Sequence, residues 1–546
     1  MKIPKDDVDR AILYAQVSND CLRSKDDRIT EYVARESYYL FGTPTGSPPA
    51  DHNKIYPNIQ TLASFLYAAE STSFTLEMMA NSRQEDLART PVVSKMLNST
   101  WMNSDSDSIA AQCVEWSLVY GTMIMKTIWR DGEFRPYAVR PHDFGVYEED
   151  KPSLDDQDAI VHCYYISKAN LERVLEGHPK KKTIMDSVSM MGKTEEKPKS
   201  GLDRLILTAS APITPANPNM VGALSSTSMQ TPPNYEAVLN NDLVEMRELW
   251  IWNDDEHDYQ IVTQASDITI FDRLAGSLTK QGQMFPKGEN PFTQFCPTPK
   301  FNYFWGISDV GRVQNLQDRY TKRMSELDDL LAKQVNPPRH AIGFTEEQIL
   351  ALSFVGGRAN TSDPMSKVEL MPPEIPPQLI NSIEMIEGSF AEALALHNIL
   401  QGKGEPGVRG RGHAQELARL SSARIKRKAL CIEDSLEKLG GLMLKIMKLN
   451  DATTLPEAES NSVFVLDNFS SDCMVKVDAH SNSPLFAEDI KAIASELLEA
   501  HIIDGESFIE LVKPPMQDLL KMRYRELKSQ EQQAQAAQQG QQTPQG

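Results

Sequence analysis

The chain has 546 residues, 40% hydrophobic and 24% charged, so it carries enough apolar material for more than one core and does not read as disordered overall. Its formal charge of −20 at pH 7 opposes a conventional grip on nucleic-acid phosphates over most of the surface. The cysteines (21, 113, 163, 296, 431 and 473) form no C-x-x-C pair, the histidines do not cluster at ligand spacing, the first residues lack a signal-like apolar run, and no stretch supplies the roughly 18 apolar residues of a membrane span. The expectation is an α+β, multi-domain, mainly helical protein with β-hairpins, reduced thiols, and neither metal, cofactor nor membrane.

Residues 5–42 carry two helical patterns, the second ending in YYLFG, and Ile59 to Met79 reads as a further apolar helix. A helix from about Ser108 meets Gly121, where the period switches to the strand TMIMKTIW. Asp131-Gly132 then turns the chain into FRPYAV, because Gly accepts the positive φ that a tight hairpin needs. VEMRELWIW and YQIVT repeat this pairing across the acidic turn NDDEHD. Asp254, Asp255 and Glu256 in that turn are expected to be solvated rather than to hold a metal. Residues 178–240 shift to Lys, Ser, Thr, Pro and Met without sustained period, which predicts a mobile insertion, and the Gln-rich 528–546 are too polar to order themselves.

Ile307, Val310, Val313, Leu316, Tyr320, Met324, Leu327 and Leu331 recur at steps of three or four, placing them on one face of a helix. Ser308 fits its N-cap, and Asn336-Pro337-Pro338 stops it after a length of roughly 42 Å. A second helix lies between Pro376-Pro377 and a glycine cluster, with Leu379, Ile383, Ile386, Phe390, Leu394 and Leu396 apolar. Two such struts joined by the insert 337–375, which holds strand-like AIGF and KVELM, predict a protruding arm that packs against other copies. Phe344, Ile349, Leu352 and Phe354 are either the insert's small core, which burial statistics favour, or contact residues.

Gly402-Lys403-Gly404-Glu405-Pro406-Gly407 has dinucleotide-loop spacing, yet a helix precedes it where a strand is required. Gly192-Lys193-Thr194 lacks the first glycine of a phosphate loop, which would fall at Ser187. Neither argues for an ATPase, and no catalytic signature is present. Five glycines in 401–412 predict a flexible loop. Residues 401–430 hold eight Lys or Arg against two acids, a local +6, and from about His413 a helix follows with Leu417, Leu420, Ile425, Leu430, Leu436 and Leu439 apolar. This basic segment either pairs with a neighbour's acids or faces a polyanion.

The hairpin YGTMIMKTIWRDGEFRPYAVRPHDFGVY and the segment FWGISDVGRVQNLQDRYTKRMSELDDLLAKQVNPPR, followed by the second strut, the glycine loop and the long helix, resemble the portal protein, or head-tail connector, of tailed bacteriophages. The resemblance covers most of 30–525 as a succession of elements. It implies a wing (1–306, with 178–240 inserted), stem helices (307–336 and 376–398), a clip (337–375), a tunnel loop (399–412), a long helix (413–450), a wing return (451–484) and crown helices (485–527). It further implies a virion component at the capsid portal vertex, assembled in the host cytoplasm as a ring of about twelve copies and serving genome packaging and ejection. The partners implied are double-stranded DNA without sequence preference, the terminase large subunit, scaffold and major capsid protein, and head-completion or tail adaptor proteins. On this reading Lys403, Arg409, Arg411 and Arg419 face the DNA channel, the four clip residues dock partners, and Val310, Val313, Leu316, Tyr320, Met324 and Leu327 pack subunits. A different tail or adaptor component is the alternative, and a nucleotide-binding ATPase the more distant one.

Overall fold

The computed structural model describes residues 1–44, 50, 52–67, 72–78, 83–130, 132–191, 243–265, 268–279, 282–283, 285–335, 337, 339–353, 364–396, 423–450, 454–456, 463–469, 473–478, 487–512 and 520–528. Helix and sheet are mixed over several units. Helices α1 (Asp7–Leu22), α2 (Lys25–Phe41) and α3 (Ile55–Leu66) lead to strand β1 (Ser73–Met78), and α4 (Gln84–Asn103) and α5 (Ser106–Tyr120) follow. The expected hairpin is β2 (Met123–Arg130) with β3 (Glu133–Val139), paired from Ile124↔Val139 to Arg130↔Glu133.

The largest sheet among the described residues has five antiparallel strands. Its order is β4 (Phe144–Val146), β5 (Ala159–Ser167), β6 (Leu243–Asn253), β7 (Asp258–Ala265) and β8 (Ile268–Leu274). The period of two sorts β5 onto two faces. Ala159, Val161 and Cys163 face Tyr14, Val17 and Cys21 of α1, while Ile160 joins the main core with Trp250 and Ile261. Each fully buried apolar side chain of this size contributes about 1.5–3 kcal/mol.

Two expectations are corrected here. The apolar run 59–79 is not one helix. It divides into α3 and β1, because SFTLEM pairs along its whole length with a strand four hundred residues away. Within 178–240, residues 181–191 form helix α7 (Lys181–Met191), which follows α6 (Lys168–Val174), and Ile184 is buried against Leu171, Leu175 and Val244. Residues 192–242, including Gly192-Lys193-Thr194, lie outside the described residues.

Strand β9 (Phe292–Phe295) adds to β2, and a long helix, α8 (Asp309–Val335), follows. After it come β10 (Arg339–Ile342), α9 (Glu346–Ser353), β11 (Lys367–Leu370) and α10 (Pro377–Leu394). Helix α11 (Ala423–Asn450) runs straight through Gly440-Gly441. Gly440 is required by packing: a Cβ there would lie 2.7 Å from both Phe74 of β1 and Val475 of β12 (Cys473–Asp478). The final described unit is helical. It comprises α12 (Ala487–Glu499), α13 (Gly505–Val512) and a helix over 520–528, tied by Tyr524 to Gly505 and by Arg525 to Glu506.

Candidate functional site

The beginning of α8 is locked to the body by backbone. Gly121 ends α5 at φ 100°, and a Cβ on it would sit 2.4 Å from the Gly306 carbonyl oxygen. Thr122 Oγ1 accepts from Gly306 N at 2.8 Å. Ser308 caps the helix as expected, its Oγ accepting from Gly311 N at 2.9 Å. Further along the helix, the buried Gln317 accepts from Lys54 N at 3.0 Å and donates to the His52 carbonyl at 2.9 Å. Both polar ends of the amide are thereby satisfied inside the core.

Helix α10 lies antiparallel on α8. Near the body, Tyr320 donates to Glu387 at 3.2 Å and meets the Phe390 ring edge-on at 6.5 Å, and Lys54 pairs with Glu387 at 2.8 Å. Farther along, Arg323, Leu330 and Lys333 line a hollow of about 490 Å³ with Gln378, Leu379 and Ser382. At the end, Gln334 donates to the Pro373 carbonyl at 3.0 Å. Beyond it, β10 and β11 pair as a two-stranded ribbon from Arg339↔Leu370 to Ile342↔Lys367, with α9 between them in sequence. Two strands bury little by themselves. Ile342, Leu350, Met365, Leu370 and Met371 of this module, and Val335, Ile380 and Met385 of the rod, are exposed.

These placements divide the expected subunit-packing set. Val310, Val313 and Tyr320 are buried within the chain, and the partly buried Leu316 and Met324 pack against the same core. Val310, Val313 and Tyr320 thus serve the chain's own core. The sequence could not separate the two cases, because one periodic stripe serves both a body and a neighbour. Leu327 is half-buried. In the distal module Phe344 is half-buried and Ile349 is 45% exposed, so Ile349 is not core; the side chain of Leu352 and all of Phe354 lie outside the description. Residues 397–422 do also, which takes in Lys403, Arg409, Arg411 and Arg419 and the 402–407 glycines.

The helix expected from His413 is described from Ala423, and its buried side includes Ile425, Ala429, Ile432, Leu436 and Leu439. Leu430 was expected among them but is exposed, since the helix turns it away from Ala429 and Ile432. In the described part of the basic stretch, two cations are engaged by the chain itself. Lys428 Nζ contacts the buried Asp309 Oδ2 at 2.5 Å, and Arg424 donates to the Glu392 and Ala393 carbonyls at 2.7 and 3.1 Å. Burial pushes the Lys428 ammonium below its ordinary range against the pull of Asp309. Spacing alone gave no sign of these partners.

A cavity of about 830 Å³ separates α11 from the sheets, lined by Leu154, Trp252, Tyr259, Phe292, Cys296 and Leu442 among others. Lys438–Asp155 at 2.7 Å and Lys445–Glu289 at 2.6 Å join its walls. Nearby in the body, Lys126 pairs with Glu248 at 2.7 Å. Burial raises Glu248, but Lys126 outweighs it and holds the carboxyl below its usual range. Burial, then Lys126, pushes His162 down to about 3. Asp254, Asp255 and Glu256 are exposed, with Asp255 N donating to Asn253 Oδ1 at 3.0 Å in an Asx turn. Among the described residues no three His, Cys, Asp or Glu side chains converge to hold a metal.

No protein-family description matches the chain, and no curated protein matches it. Among solved structures it is similar to a chain from "Virion of native gene transfer agent (GTA) particle" and to a chain from "Neck of empty GTA particle computed with C6 symmetry". In each case identity is 9%, the TM-score 0.41, and coverage 89% of this chain and 94% of the other. A likeness this shallow assigns no role.

Proposed function

We propose that this chain is a virion structural protein, the repeating subunit of a portal ring, without catalytic activity. The observation that supports this reading most is the rod. Helices α8 and α10 leave a large buried core as an antiparallel pair, and they carry at their far end a two-stranded module whose apolar residues are exposed. Exposed apolar surface concentrated at one end of a molecule fits contact with other proteins. In a closed ring each copy offers that end to the next, and identical contacts repeat around an axis.

In this proposal the −20 charge lets duplex DNA slide without adhering, while Lys403, Arg409 and Arg411, with Arg419 behind them, give weak contacts multiplied by copy number. The distal module meets the terminase large subunit during packaging and adaptor proteins afterwards, and the body meets scaffold and major capsid protein. The deciding experiment is mass photometry with negative-stain imaging of the full chain, alone and co-expressed with a scaffold protein. The expected result is a ring of about twelve copies around a hole; a compact monomer in both samples defeats the proposal. Replacing Lys403, Arg409 and Arg411 with Gln should leave rings intact and weaken DNA retention. Unchanged retention removes those residues from the channel role.

A further inference from the structure

Two helix ends from distant parts of the chain meet at the first two described turns of α11. Arg424 gives Nη1 to the Glu392 carbonyl at 2.7 Å and Nη2 to the Ala393 carbonyl at 3.1 Å. These carbonyls belong to the last turn of α10, the negative end of its dipole, where Glu392 otherwise accepts only a long bond of 3.4 Å from Ala395 N. Ala395 closes α10 in the left-handed region at φ 59°, unusual for a residue with a Cβ, so this end is held in place by its surroundings. Four residues on, and therefore on the same face of α11, Lys428 reaches Asp309. Asp309 is the first residue of α8, its side chain only 1% exposed and that of Lys428 12%. One face of one helix thus supplies a cation to the end of α10 and the counter-charge for the beginning of α8. Neither contact needs a second copy of the chain.

We propose that Arg424 and Lys428 make the start of α11 a coupling device, so that the body-proximal ends of α8 and α10 loosen together when either contact is lost. A merely local contact predicts something different: each substitution would disturb only the helix it touches. The test is amide hydrogen exchange by mass spectrometry on the full-length protein. Arg424→Gln, whose hydrogen bonds run to α10, should raise exchange by about tenfold in the last turn of α10 and also in the first turns of α8. Lys428→Met should do the reverse, reaching α10 from α8. Because Lys428→Met leaves the buried Asp309 only Arg312, 3.7 Å away on its own helix, as a counter-charge, the pair Asp309→Asn with Lys428→Met keeps the shape without that charge pair, and it should show the same cross-effect. High salt should reproduce it weakly in the unmodified protein. Exchange confined to the touched helix in Arg424→Gln overturns the proposal, whether or not the Lys428 variant folds.

Discussion

Val310 and Val313 in the first turns of α8 are fully buried, whereas Leu331 and Val335 near its end are 42% and 83% exposed. All four continue one stripe at steps of three and four. Among the described residues, α2, α3 and α5 pack on α8 from the body, while its far end runs beside α10 toward a two-stranded ribbon. A periodic stripe states which side of a helix wants cover, and the rest of the molecule decides whether cover exists within the same chain.

That contrast can be broken most directly with charge. Val313→Asp places a carboxylate in a sealed core and should cost about 4 kcal/mol or more, while Leu331→Asp should stay within about 0.5 kcal/mol in the monomer; denaturant midpoints measure both. Equal effects would mean the end of α8 is covered in solution. A second comparison uses adjacent glycines of α11. Gly440→Ala pushes against Phe74 and Val475 and should destabilise by about 2 kcal/mol, whereas Gly441, where an added Cβ would meet no atom within 4 Å, should gain about 0.8 kcal/mol as Ala.

Mild acid separates body from rod by a smaller step. The folded pKa of His162 lies near 3, below that of an exposed histidine, so the unfolded chain binds a proton that the folded one does not. The associated stability is full well above pH 6.5 and falls as pH drops toward 3, by about 1 kcal/mol over the first unit below 6.5 and then by about 1.4 kcal/mol per unit. His162→Gln should flatten that part of the pH-stability curve. Neither α8 nor α10 contains a histidine. Exchange in the sheet should therefore respond to mild acid more than exchange in the middle of the rod.

Where local chemistry specifies an element, the sequence was enough. Ser308, the stripe of α8 and Asn336-Pro337-Pro338 bound that helix within two residues of its observed ends, and the Asp131-Gly132 hairpin has the expected pairing. The errors fall where the partner is remote. Ser73–Met78 looked helical beside α3 because nothing nearby names its strand partner. Leu430 satisfied a spacing rule but faces solvent, and Lys428 looked like one more charge in a basic run although Asp309, more than a hundred residues earlier, holds it. The rod was legible in the candidate site, but the division of its stripe between core and exposed surface was not, since that depends on what each turn happens to lie against.

The pairing of β1 with β12, from Ser73↔Asp478 to Met78↔Cys473, also sets a timetable. A growing chain makes β1 early and must wait for some four hundred further residues to leave the ribosome before its hydrogen-bonding edge is matched. Through that interval Phe74, one of the largest fully buried side chains, lacks Val475, and for most of it the helix surface at Gly440 as well. Closure of this part of the body is thus a late event in biosynthesis, and a nascent chain halted before Cys473 displays a sticky open strand of the kind that chaperones bind.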